Sequence, residues 1–200
     1  MDAKTQKAEL TRAMIVGAAL DLAAAEGLEA ITLQAVADRV GLSKSGVFSR
    51  VGSREALQMA VVEEYGRRFL ADVFMPAMQQ PKGLPRLQEV VRRWIVRVRD
   101  VEAVQACIFT AGAFEYDDRE GPLRDHLLAE VTRWRAALRR SVAQAIDAGH
   151  LLPDTDPEQL VAEISGLIIG LVHDTRFLRD PRAADRAQRT WERLLKTYQP

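Results

Sequence analysis

Between Thr32 and Arg54 the chain gathers short hydroxyl side chains, an amide, cations and one aromatic ring: Thr32, Gln34, Ser43, Lys44, Ser45, Phe48, Ser49, Arg50 and Arg54. Hydroxyls, amides and cations are the groups that donate to phosphate oxygens and base edges, while a ring packs against sugar or a thymine methyl. From Ser43 to Arg54 there are three cations and no acid, although the whole chain carries formal net charge +0. That balance excludes a protein that coats nucleic acid by bulk charge, and it suits one that grips through a small local footprint. Bond-breaking chemistry has no comparable support. There is no glycine-rich phosphate loop, no metal-ligand spacing among His126, His150 and His173, and no nucleophile set beside a base. Neither an enzyme nor a cofactor is expected.

These residues need elements to hold them, and the apolar pattern is helical almost throughout. A first helix is expected over about 9–26, stopped by Gly27, which tolerates a positive φ. Thr32 can cap a second helix over 33–40 and Ser43 a third over 44–50, with a turn at Gly41-Leu42 between them. Ala37 sits where two crossing helices come closest. Val36, Val40, Leu42 and Val47 are the apolar anchors, leaving Lys44, Ser45, Phe48 and Ser49 outward. That is the make-up of a helix-turn-helix whose second helix lies in a major groove. Ser53 caps a fourth helix to about Phe74, before Pro76. Further helices are expected over about 86–100, 104–114, 122–148, 157–178 and 181–198, with Pro122, Pro157 and Pro181 near first turns. The fold class is therefore all-α with about nine helices, divided into 1–53 and 54–200.

The stretch ITLQAVADRVGLSKSGVFSRVGSREAL, from Ile31 to Leu57, closely resembles the DNA-binding domain of the TetR family of bacterial regulators. The resemblance implies a homodimeric repressor that binds a palindromic operator in double-stranded DNA and is released by a small hydrophobic ligand held in the C-terminal helices; a DNA-binding regulator without a small-molecule ligand, or an activator, is the alternative. Position by position, it implies that Thr32 meets phosphate and that Lys44, Ser45 and Gly46 open the recognition helix. It also implies that Phe48 packs on the DNA backbone and that Arg54 meets phosphate at the start of helix 4. Ser49, Arg50 and Val51 stand where the family often has tyrosine, histidine and phenylalanine, so an operator cannot be borrowed from a relative. Lys4, Lys7 and Arg12 are candidates for an additional arm contact.

Beyond helix 4, the ligand-pocket candidates are Phe74, Trp94, Val98, Cys107, Ile108, Phe109 and Trp134, with Leu70, Met78 and Phe114 in the same apolar set. Each of these also suits the ordinary core of a helical bundle. Cys107 is the single cysteine, with apolar neighbours and no adjoining cation, which fits a packed thiol better than a redox sensor. Glu115, Asp117, Asp118 and Glu120 read as a solvated turn before Pro122 rather than a cation site. The dimer-interface candidates are Ile164, Leu167, Ile168, Leu171, Trp191 and Leu194, with Gly166 and Gly170 allowing close helix approach; burial inside one subunit is the alternative. The apolar run 160–172 is too short to span a bilayer and no leader segment is visible, so a cytoplasmic protein with no membrane partner is expected.

Overall fold

The computed structural model describes residues 2–200, apart from the side chains of Ala3 and Lys4. Among the described residues the regular structure is helical, with nine helices in chain order. They are α1 (Ala3–Glu26), α2 (Leu33–Val40), α3 (Lys44–Val51), α4 (Arg54–Phe69), α5 (Leu84–Arg97), α6 (Ile108–Glu115), α7 (Pro122–Asp147), α8 (Pro157–Arg176) and α9 (Ala183–Tyr198). Two helices end in a π turn, α4 in Leu70–Phe74 and α5 in Val98–Glu102. After the first π turn one further α turn, Met75–Ala77, carries Pro76. The helix thus does not stop before Pro76 as the sequence suggested. α6 begins at Ile108 rather than Val104, because Ala106 N–H is spent on Ala24 O at 2.9 Å. α1 starts earlier than expected, at Ala3. Among the described residues, no helix is long and apolar enough to cross a membrane.

The chain forms two compact units: Met1–Arg68 with Gln105–Glu130, and Phe69–Val104 with Val131–Pro200. α6 and the start of α7 pack with the N-terminal helices. In this head unit, Ile15, Ala19, Leu28, Val36, Ala37, Val47, Leu57 and Ile108 are fully buried or nearly so. Burying a large aliphatic side chain of this kind contributes about 1.5–3 kcal/mol. Gly112 of α6 faces Leu28 and Leu127, where a Cβ would already crowd both.

The second unit packs α9 against α8 and α5. The buried face of α9 is Ala183, Ala187, Trp191 and Leu195, a strict four-residue spacing on one side of the helix. The buried apolar residues of α8 are Leu160, Val161, Ile164, Ile168 and Leu171. Leu152 N–H donates to Tyr198 O at 2.7 Å and ties down the end of α9.

Candidate nucleic-acid interface

The α2–α3 corner is built from local hydrogen bonds that satisfy free helix-end N–H groups. Thr32 Oγ1 accepts from Ala35 N–H at 3.0 Å and Ser43 Oγ from Gly46 N–H at 3.0 Å. Gly41 takes the left-handed conformation between the helices (φ 69°, ψ 31°). With Val36, Ala37 and Val47 buried, Gln34, Lys44, Ser45, Phe48, Ser49 and Arg50 are left on the open face, while Gly46 is half-buried at the start of α3. The Phe48 ring is 57% exposed, an apolar group held in solvent on the helix expected to face DNA. Some of the polar groups are already engaged. Ser45 Oγ lies 3.1 Å from Ser43 Oγ, Ser49 Oγ donates to Gly46 O at 2.8 Å, and Gln34 Nε2 donates to Asp38 at 2.7 Å. Lys44 and Arg50 form no ion pair among the described residues, so their charge is available to an outside anion.

Arg54 is placed differently from a simple phosphate finger. Its Nε donates to Ile31 O at 2.7 Å, and its Nη2 donates to Glu29 O at 2.7 Å and to the Glu29 carboxylate at 2.9 Å. The Glu29 carboxylate also accepts from Tyr116 Oη and pairs with Arg119 at 3.0 Å. The Tyr116 hydrogen bond first, then that of Arg54, holds the Glu29 carboxyl below the usual range against the opposing cost of burial. Burial and the Glu29 carboxylate push the Tyr116 phenol up. Of the residues considered for an arm, Lys7 and Arg12 are exposed on helical α1, and the side chain of Lys4 lies outside the described residues.

The pocket candidates fall in both units. Phe74, Trp94, Val98 and Trp134 belong to the second unit; Cys107, Ile108 and Phe109 belong to the head unit. In the second unit Trp94 meets Trp134 edge-to-face at 4.4 Å and Phe69 at 5.4 Å, and Phe69 meets Phe74 at 6.0 Å. Among the described residues, the buried Trp94 indole N–H has no acceptor. In the head unit Tyr65 Oη donates to Cys107 Sγ at 3.1 Å, and the Tyr65 and Phe109 rings meet edge-to-face at 4.9 Å. Cys107 is buried, while Leu70, Met78 and Phe114 are exposed and are not core residues of their units. Among the described residues, no group of His, Cys, Asp and Glu is placed to hold a metal ion.

Of the dimer-interface candidates, Ile164, Ile168, Leu171 and Trp191 are buried in the core of their own unit. Because α8 and α9 pack on each other, their most apolar stripes face inward and do not form a free surface. Leu167 and Leu194 are half-buried, and the outward side of α8 presents Gly166, Ile169, Gly170 and Phe177 just beyond its end.

The family model described as "Bacterial regulatory proteins, tetR family" matches residues 15–61, which include the capped α2–α3 corner. A second, "Tetracyclin repressor-like, C-terminal domain", matches residues 83–191, more than half of the chain. The chain belongs to the TetR family. It is thus a DNA-binding transcriptional regulator of a non-enzymatic class. Solved structures agree in fold. A TetR-family regulator from Cytophaga hutchinsonii is 19% identical, with 96% of each chain covered and a TM-score of 0.82. One from Chloroflexus aurantiacus is 22% identical, with 92% of this chain and 93% of that one covered and a TM-score of 0.82. AibR, solved in complex with isovaleryl coenzyme A and operator DNA, is 21% identical, with 88% and 95% covered and a TM-score of 0.69. No curated protein matches the chain in sequence.

What sequence reasoning missed in this TetR-family chain is the support around Arg54. Glu29, Glu115 and Tyr116 had no local signal as partners of a helix-turn-helix, since Glu115 lies 87 positions from Leu28. In sequence, Glu115 reads as part of a solvated acidic turn. Gly27, expected only to stop α1, takes φ 91°, and a Cβ there would lie 3.1 Å from both Glu115 oxygens.

Proposed function

We propose that this chain is a homodimeric, sequence-specific repressor that leaves its operator when a small apolar ligand binds its C-terminal helices. The observation that carries the reading is the open face of α3. Lys44 and Arg50 form no ion pair among the described residues and Phe48 has an exposed apolar ring, on a helix capped by Ser43 and following an α2 capped by Thr32. Lys44 and Arg50 supply phosphate attraction, and Lys44, Ser45 and Gln34 are the groups with reach to base edges. A dimer doubles this set and places two recognition helices about one DNA turn apart. The outward side of α8 suits the dimer contact, with Ile169 exposed between Gly166 and Gly170, where a second helix meets no Cβ.

Support for the ligand is of a different kind. AibR binds isovaleryl coenzyme A as well as operator DNA, and it shares this fold. In the second unit, the buried Trp94 N–H lacks an acceptor and lies within a ring cluster, a setting that favours an apolar ligand bearing one carbonyl or ether oxygen. Release then follows if ligand favours the dimer geometry that fits DNA less well, and the coupling is reciprocal.

The test is selection of bound duplexes from a random pool with the purified protein at defined salt. A palindrome with half-sites about one helical turn apart is the expected product. A folded, dimeric protein that enriches no sequence overturns the reading.

A further inference from the structure

The α6 terminus reaches back to the DNA-binding head through a set of charge-assisted hydrogen bonds. Glu115, the last residue of α6, accepts from Leu28 N–H and from Glu29 N–H, each at 2.8 Å. These are the free donors of the short 3-10 turn Leu28–Ala30 that leads into α2. The next residue, Tyr116, donates its hydroxyl to the Glu29 carboxylate, and Arg119 stacks over the Tyr116 ring at 4.9 Å while pairing with the same carboxylate. Glu29 in turn holds Nη2 of Arg54, whose Nε is spent on Ile31 O, immediately before the α2 cap Thr32. Gln58 Nε2 closes the set by donating to Leu28 O at 2.9 Å. Among the described residues, Nη1 is the one guanidinium nitrogen of Arg54 with no partner.

We propose that Glu115 and Tyr116 are positioning residues for DNA binding: through Glu29 they fix the Gly27–Ile31 turn and hold Arg54 with Nη1 left to meet a phosphate. The proposal rests on DNA binding by the α2–α3 head and adds residues that touch no DNA themselves. It reconciles two facts about Arg54, its inward hydrogen bonds and its position at the start of α4 beside the recognition helix. Without Tyr116 and Glu115 the Glu29 carboxylate loses its hydroxyl donor and the turn behind it loses the acceptor of two N–H groups, so both are held less firmly. The guanidinium then has to be ordered at the moment of binding, which costs affinity.

Charge makes the test decisive. By electrostatics alone, removing a carboxylate near the DNA face tightens binding to a polyanion, and Tyr116→Phe changes no charge at all. Positioning predicts the opposite sign for Glu115→Gln and a loss for Tyr116→Phe. The probe is a labelled random-sequence duplex pool at low salt, which requires no operator, titrated by fluorescence polarisation against the full-length protein. Both variants are expected to bind about three- to tenfold more weakly, with helix content and melting temperature close to the parent. Asp118→Asn, a charge control outside the set, is expected to bind as tightly as the parent or more tightly. Arg54→Ala should weaken binding and abolish the further effect of Tyr116→Phe, because the two act through one guanidinium. Equal or tighter binding by Tyr116→Phe and Glu115→Gln overturns the proposal. So does a Tyr116→Phe effect that persists unchanged in the Arg54→Ala background, or one that appears only with loss of fold. A parent protein that binds no duplex, operator or random, instead overturns the DNA-binding reading of the head.

Discussion

Nε of Arg97 donates to the Glu102 carboxylate at 3.2 Å, and both side chains are buried in the second unit. Arg97 also pairs with Asp72, so one guanidinium joins the π turn that ends α4 to the π turn that ends α5. Arg176 adds a bond from α8 to Glu102 O at 3.1 Å. Buried pairs of this kind are poor sources of net stability but are expensive to break, because the surviving charge stays buried. Glu102→Ala is expected to cost about 3–5 kcal/mol in chemical denaturation, and the double change Arg97→Met with Glu102→Leu to recover most of it. A single variant as stable as the parent would show that the pair is solvated in solution.

Trp94 offers a contrasting case, since its ring packs well but its N–H has no acceptor. A buried donor left unpaired costs about 1–3 kcal/mol, so its removal offsets the loss of ring area. Trp94→Phe is therefore expected to unfold within about 1 kcal/mol of the parent, well short of the 3–5 kcal/mol typical of truncating a buried aromatic to alanine. Urea denaturation of both variants measures it. A large loss for the phenylalanine variant would mean that the indole N–H finds a partner in solution.

Lys44, at the first position of α3, forms no ion pair among the described residues. If it neutralises one phosphate per protomer, Lys44→Ala should flatten the slope of log affinity against log salt by about 0.9 per protomer. The loss should be similar for operator and random duplex if Lys44 meets phosphate, and larger for the operator if it reads a base. An unchanged slope would take Lys44 out of the interface.

The α2–α3 corner was legible because its instructions are local. The Thr32 and Ser43 caps, the left-handed Gly41 and the buried Val36, Ala37 and Val47 all lie within one short stretch and act on near neighbours. The limits of α7 at Pro122 and α8 at Pro157 were legible for the same reason. The π turns were not; neither Leu70–Phe74 nor Val98–Glu102 carries a local signal for a π turn. The inward burial of Ile168 and Trp191 was hidden too. A stripe facing a helix of the same unit looks identical in sequence to one facing a second subunit. Arg54 was placed correctly at the start of α4, but its partners Glu29 and Ile31 come from folding, not spacing.

Gly27 and Gly41 separate backbone demand from crowding. At Gly41 the backbone is left-handed (φ 69°) with nothing within 4 Å of an added Cβ, so Gly41→Ala is expected to cost about 1 kcal/mol. At Gly27 (φ 91°, ψ 166°) the backbone lies in a region kept almost entirely for glycine, and the added Cβ also meets the Glu115 carboxylate at 3.1 Å. Gly27→Ala should cost about 2–3 kcal/mol and weaken DNA binding in parallel with Glu115→Gln. Equal costs at the two glycines, measured by thermal and chemical unfolding, would mean that Glu115 does not sit against Gly27 in solution.

Acid should weaken the head through Glu64 on α4. Its carboxylate is held down to about 2, chiefly by the hydrogen bond from Arg67, with burial opposing and Arg68 assisting. The ordinary value for the unfolded chain is 4.5, so between 4.5 and 2 the unfolded state binds the proton more readily. The contribution is therefore complete above pH 4.5 and is lost as pH falls towards 2. A full shift of that size would correspond to more than 3 kcal/mol, but Arg67 is mostly exposed and solvent screening reduces the contribution to about 1 kcal/mol. Glu64→Gln should consequently be about 1 kcal/mol less stable than the parent at neutral pH, with the gap closing as pH falls from 4.5 towards 2. Urea midpoints of the two proteins across that range measure it, and a gap that stays constant with pH would show that the Arg67–Glu64–Arg68 pairing contributes no proton-linked stability.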